Sequence, residues 1–150
     1  MDKIKKFAPI GAALLGIIAL FMVFLPSVKV SFMGFEADWN GFETAFGKEE
    51  DSFKFSIMNC LGWAILVAGI ACAVLSYMQP ENKLFGYVAI AALAVAGIFF
   101  FCTVGFCNIE EEAKDMLDLG AGAIIAGICS ILAAICAAAP VAMEMLGLDK

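Results

Sequence analysis

Neither histidine nor arginine occurs in the 150 residues, so all nine basic side chains are lysines. That removes the commonest general base and metal ligand near neutral pH, and with it the planar guanidinium that clamps phosphate through paired hydrogen bonds. Both absences weigh against most enzyme classes. Charge is scarce at 16% of residues, and four stretches, 7–25, 57–78, 84–106 and 119–139, hold no Asp, Glu, Lys or Arg. Cys-x-x-Cys spacing is missing too, and the segment 26–56 contains no cysteine.

What is present is apolar bulk. About 20 consecutive apolar residues cover the roughly 30 Å hydrocarbon core of a bilayer, where a helix satisfies its own backbone. With 63% hydrophobic residues and a mean hydropathy of +0.97, a soluble domain of this length has more apolar surface than it can hide. The expected fold is an all-α membrane protein, a single domain of four transmembrane helices over the four uncharged stretches. Two outer loops, 26–56 and 107–118, complete it. The first stretch exceeds the 7 to 15 residues of a signal-peptide core, and no small-x-small site follows Leu25, so it is expected to be a retained helix.

Lysines set the expected orientation. Lys3, Lys5 and Lys6 precede the first span and Lys83 sits in the short turn between the second and third, which places both termini and that turn in the cytoplasm of a plasma membrane. The outer loops then carry three lysines against six acids and one against five, about minus seven in all. Tyr77 and Tyr87 fall near the cytoplasmic ends, and Phe53, Phe55, Trp63 and Phe99 to Phe101 toward the outer ends, as interfacial aromatics do.

Residues 28–39 of the first outer loop alternate on both sides of Met33-Gly34. With that pair as the turn, Phe32 faces Phe35, Val30 faces Ala37 and Val28 faces Trp39 on one side. Lys29 faces Asp38 and Ser31 faces Glu36 on the other. Gly34 supplies the positive φ of the second position in a type I′ turn. A lone hairpin is marginal in water, so its apolar side either seals the helix ends or meets a partner. Phe32, Phe35, Trp39 and Phe42 form the candidate interaction surface. Asn40-Gly41 reads as a turn, and Lys48-Glu49-Glu50-Asp51 as a solvated loop. The many loop carboxylates are hard-cation ligands by type, but none of their spacings matches a calcium loop, so no metal is expected. In the second loop, Asn108 with Glu111 resembles a capping box, and Ile109, Ala113, Met116 and Leu117 share one helical face. That loop is expected to extend the fourth helix outward as an acidic first turn.

Small residues four apart mark candidate helix-packing stripes: Ala8, Ala12 and Gly16; Ala64, Ala68, Cys72 and Ser76; Gly122, Ala126, Ser130, Ala134 and Ala138. The third helix has shorter versions at Ala92 and Ala96, or at Gly97. The long stripe on the fourth helix serves either internal packing or a partner helix. Pro140 is expected to bend or end that helix, leaving 141–148 as a short tail.

Four helices with cytoplasmic termini, a long first outer loop on a β-hairpin, Trp39 followed by Gly41 and Phe42, and a shorter second outer loop resemble the claudin-type tetraspan architecture. Claudins add Gly-Leu-Trp and a loop disulfide, both missing here, so the resemblance implies topology and not paracellular sealing. The lysine-rich chain without arginine or histidine also resembles small four-span proteins of low-GC bacteria.

The expected function is non-catalytic contact of an accessory, assembly or immunity type, made through the acidic outer face. Membrane lipid and another membrane protein, or a second copy, are the expected partners. Neither a nucleic acid nor a cofactor is expected. One competing reading is a channel or transporter subunit lined by Thr103, Ser130 or Asn59, against which stands the lack of any ionisable group at depth. The other is a quinone-linked thiol oxidoreductase using Cys60, Cys102 or Cys107, which departs from the C-x-x-C spacing such enzymes use.

Overall fold

The structure is a computed structural model and describes residues 2–48, 50 and 53–148. In chain order it contains α1 (Asp2–Phe21), β1 (Pro26–Phe32), β2 (Phe35–Asn40), α2 (Gly41–Phe46), α3 (Ile57–Met78), α4 (Lys83–Phe101), α5 (Thr103–Phe106), α6 (Glu111–Lys114), β3 (Leu117–Leu119) and α7 (Ala121–Met145). The helices α1, α3, α4 and α7 are long and apolar enough to cross a membrane. They pack in a ring, α1 on α3, α3 on α4, α4 on α7 and α7 on α1. The chain runs up and down, so both ends of the described chain lie at the end opposite a cap made by the two long connections.

Local chemistry sets the helix limits. Ser56 accepts from the Asn59 N–H at the start of α3, and Asn82 from the Leu84 N–H at the start of α4. The second span coincides with α3. The first begins earlier than expected, because Lys3, Lys5 and Lys6 wind into α1 ahead of the apolar run. The third is shorter, since Cys102 (φ −94°, ψ 8°) leaves helical geometry and the chain restarts in α5. Pro140 does not end α7, which continues to Met145. Its ring removes one backbone donor without ending the helix, and beyond it Glu144 pairs with Lys83 Nζ of α4 at 2.8 Å. Pro140 and Pro9 line a cavity of about 200 Å³ there, with Ser76, Gly86 and Glu144.

The bundle core is built from small side chains. Ala12, Ala19, Ala73, Ala89, Ala96, Ala126, Ala133 and Ala137 are buried, with Leu66, Leu93 and Phe100 as the bulky members and Trp63 packed on Phe100 at 4.5 Å between ring centroids. The large aliphatic residues point outward along all four helices. That is the reverse of a water-soluble core and suits an apolar solvent. Glycines set the closest approaches. A Cβ on Gly97 would lie 2.7 Å from Ile131, one on Gly127 2.8 Å from Phe101, and one on Gly69 3.0 Å from Leu93.

The stripes on α1 and α7 face inward, with Ala12, Gly16, Gly122, Ala126, Ser130 and Ala134 buried. On α3 the expected stripe is corrected: Ala64 and Ala68 are exposed, Cys72 and Ser76 half-buried, and the inward face is Asn59, Gly62, Leu66, Gly69 and Ala73. Two small-residue rows exist on this helix. The row carrying Gly62 and Gly69 admits Phe99 and Leu93 of α4, which a row of alanines does not.

Replacing Gly122 with Ala puts a methyl 2.8 Å from the Leu25 carbonyl and 2.9 Å from that of Pro26, both backbone atoms that cannot swing aside. Gly122→Ala is expected to lower stability by about 1–3 kcal/mol, read from the thermal midpoint in detergent. Gly11→Ala, with nothing within 4 Å of the new carbon, leaves the midpoint unchanged or raised.

Candidate interaction surface

The cap begins with the hairpin. Met33 (φ 48°) and Gly34 (φ 82°) both take the left-handed conformation a type I′ turn demands. The register is the one the alternation dictates, pairing Phe32 with Phe35, Ser31 with Glu36, Val30 with Ala37, Lys29 with Asp38 and Val28 with Trp39. β3 adds a third strand on the other side of β1, placing Leu117, Asp118 and Leu119 opposite Val30, Lys29 and Val28.

That third strand corrects the expectation for the second loop. Only Glu111–Lys114 is helical, and α7 starts at Ala121. The alternating Leu117-Asp118-Leu119 buries Leu117 in the cap and satisfies the free edge of β1, which a helical extension would leave bare. Asn108 is not a helix cap: its Nδ2 donates to the Phe55 carbonyl at 2.9 Å, and its own carbonyl accepts from Lys54 N–H at 2.9 Å. The same Asn-x-x-Glu spacing forms a true capping box at Asn40. There Glu43 N–H donates to Asn40 Oδ1 and Asn40 N–H to Glu43 Oε2, each at 3.0 Å, so the expected turn at Asn40-Gly41 is the start of α2.

Val28, Trp39, Phe53, Cys107 and Leu117 form a second core, separate from that of the bundle, with Trp39 on Phe53 at 4.6 Å. Along the apolar side of the hairpin burial falls steeply. Val28 is 0% and Trp39 7% exposed at the base, while Phe32 is 52%, Phe35 68% and Met33 93% exposed at the tip. The four candidate surface residues therefore part company. Trp39 is core, and Phe32 and Phe35 flank Met33 at the tip. Phe42 joins a row of exposed rings, Phe24 to Phe42 at 5.5 Å, Phe42 to Phe46 at 6.2 Å and Phe46 to Phe55 at 6.3 Å. Phe24, Met33, Phe46 and Phe55 belong to these surfaces by position alone. The four-residue spacing of Phe42 and Phe46 is the one sequence signal of the row.

Asn59 ties the cap to the bundle. Its Nδ2 donates to the Thr44 carbonyl at 3.1 Å and lies 3.8 Å from Cys107 Sγ, joining the first loop, α3 and the second loop. Ser56 adds two links, its hydroxyl to the Phe106 carbonyl and its N–H to the Ala45 carbonyl. Gly47 (φ 89°) admits the returning chain, since a Cβ there would lie 2.8 Å from Lys54 carbonyl carbon. Thr103 donates to the Phe100 carbonyl at 2.7 Å, whereas Ser130 Oγ is buried with no partner among the described residues.

The six cysteines are free thiols. Cys102 is exposed and Cys107 buried. Burial pushes the Cys107 thiol up to about 11, against the smaller opposing pull of the Asn59 hydrogen bond and the Lys114 charge. It donates to the Thr103 carbonyl at 3.2 Å and is protonated at neutral pH. Among the acids, Glu43 pairs with Lys48 at 3.3 Å, and Lys29 stands in register between Asp38 and Asp118. Among the described residues no three His, Cys, Asp or Glu side chains converge as a metal site requires. Glu49 and Asp51 of the charged run lie outside the described residues. A cleft of about 880 Å³ opens between the two loops, lined by Phe46, Lys54, Phe55, Asn108, Ile109 and Glu110 among others.

Asn59→Leu strands the buried Thr44 carbonyl and is expected to cost about 1–3 kcal/mol, seen as a lower thermal midpoint in detergent. Peptide-level mass spectrometry after iodoacetamide treatment at pH 8 should show Cys107 unmodified in folded protein and alkylated after denaturation in SDS. Because the folded thiol is raised above the ordinary 9.0, its contribution to stability is present in full below about pH 9. It is lost as the pH climbs to about 11, where denaturation midpoints should fall. Comparison with known proteins returns no match, whether to a family model, a curated protein or a solved structure.

Proposed function

We propose that this chain is a multi-pass plasma-membrane protein that works by contact and not by catalysis, presenting the hairpin tip to a partner on the outer face. The lysines at the bundle end opposite the cap, Lys3, Lys5, Lys6 and Lys83, support a cytoplasmic position for that end and both termini and an outer position for the cap. The observation that carries the reading is the gradient along one face of the hairpin, whose base is sealed in the cap core while Phe32, Met33 and Phe35 stand bare at a tight turn. Apolar side chains raised on an ordered support add nothing to packing and mark a surface kept for another molecule. A rigid support also lowers the ordering cost of binding. The surrounding charge of about minus seven steers partners with a basic face. A second membrane protein, in an accessory, assembly or immunity relationship, fits best, and a second copy is the alternative. The pore and thiol-enzyme readings draw less support: Asn59 and Thr103 donate within the structure and the Cys107 thiol is buried and protonated, which leaves Ser130 for the first and the half-buried Cys60 and exposed Cys102 for the second.

A photo-crosslinking residue at Met33, activated in the native membrane, should join one heterologous protein in high yield. The same residue at Glu50, elsewhere on the cap, should give little of that adduct. Phe35→Lys should reduce the Met33 adduct at least about tenfold without changing the amount of protein in the membrane. Self-adducts alone would move the reading to a homo-oligomer, and equal yields at both positions would sink it.

A further inference from the structure

The cleft between the two cap loops carries a second, chemically distinct surface. Lys54 and Glu110 both line it, yet Lys54 forms no ion pair among the described residues, so a cation and an anion share one cleft without neutralising each other. The two segments that carry them are joined by hydrogen bonds. Lys54 N–H donates to the Asn108 carbonyl, and Asn108 Nδ2 donates to the Phe55 carbonyl, each at 2.9 Å, so the segment bearing Lys54 is bound to the loop that carries Glu110 two residues further on. Phe46 and Phe55, the last two rings of the exposed row that starts at Phe24, also line the cleft.

We propose that this cleft binds the headgroup of an aminophospholipid of the outer leaflet, with phosphate on Lys54 and primary ammonium on Glu110. The inference rests on the membrane placement proposed above but not on the hairpin's partner. Lys54 and Phe55 immediately precede the first turn of α3, and Glu110 lies beyond α4 and α5, which sets the cleft at headgroup level just outside the apolar band. A zwitterion is the ligand that meets both charges at once, neither of which is in an ion pair among the described residues. A primary ammonium donates charge-assisted hydrogen bonds to a carboxylate, which a quaternary choline cannot do. The exposed rings, continuous with the apolar band of the helices, select a lipid over a free zwitterion by receiving its glycerol and upper acyl carbons, and they offer π faces to the ammonium.

The full chain is to be placed in nanodiscs with equal parts of phosphatidylethanolamine, phosphatidylcholine and phosphatidylglycerol, then released for native mass spectrometry of retained lipid. Phosphatidylethanolamine should be retained about tenfold over either competitor. Glu110→Gln should erase most of that preference, about tenfold, and Lys54→Gln should lower retention of all three lipids by about tenfold, while Lys54→Arg and the off-site Lys29→Gln keep both retention and preference. Unchanged thermal midpoints for these exposed-site variants separate a lost ligand from a lost fold. Preference for phosphatidylglycerol, or retention indifferent to Glu110, overturns the proposal with membrane placement intact. Failure of the chain to enter the discs overturns the placement itself.

Discussion

Close approach of four helix backbones is the constraint on which the rest of the molecule depends. Dispersion between helices in an apolar solvent grows only when side chains are small enough to let the backbones near each other, so the centre fills with alanine and the knobs are seated on glycine. Ile131 over Gly97, Phe101 over Gly127 and Leu93 over Gly69 are three instances of one device. The large residues displaced from the centre cover the outside, which ties the stability of the fold to its solvent.

The cap inherits its order from the bundle. An isolated hairpin is marginal, but this one gains a third strand, a five-residue core and a set of hydrogen bonds rooted in the first turn of α3. Asn59 is placed where one side chain reaches both connections, so it converts two loops into a single body. Order then decreases with height: the base of β1 and β2 is locked by Trp39 and Val28, and the tip is left free to meet another molecule. The two proposed surfaces lie at different heights in that geometry, one at the hairpin tip and one where the two loops meet above α3.

Local pattern is legible in this sequence wherever a residue's partner is near in the chain. The hairpin register follows from strict alternation about Met33-Gly34, because a slip of one residue would turn every apolar side chain to the wrong face. The second loop obeys no such rule. Leu117-Asp118-Leu119 is too short to declare a strand by itself, and its pairing with β1 depends on an edge contributed by residues some ninety positions earlier. Asn40 and Asn108 carry the same Asn-x-x-Glu spacing, yet the peptide after Asn40 is free to coil while that around Asn108 is already bound to Lys54 and Phe55. The row of phenylalanines is scattered over three segments of the chain and becomes a surface only on folding.

By itself the sequence determined the number and order of the apolar helices, the hairpin and its register, and the excess of acid in the two long connections. These properties are set by the hydropathy of consecutive residues and by pairings across a two-residue turn. Tertiary structure alone decided which small-residue row of α3 turns inward, that Trp39 is core and Met33 is surface, and that Lys54 and Glu110 share a cleft. Each of those outcomes depends on the shape of a neighbouring element far away in the chain, and one helix or strand contains no information about the surface it will meet.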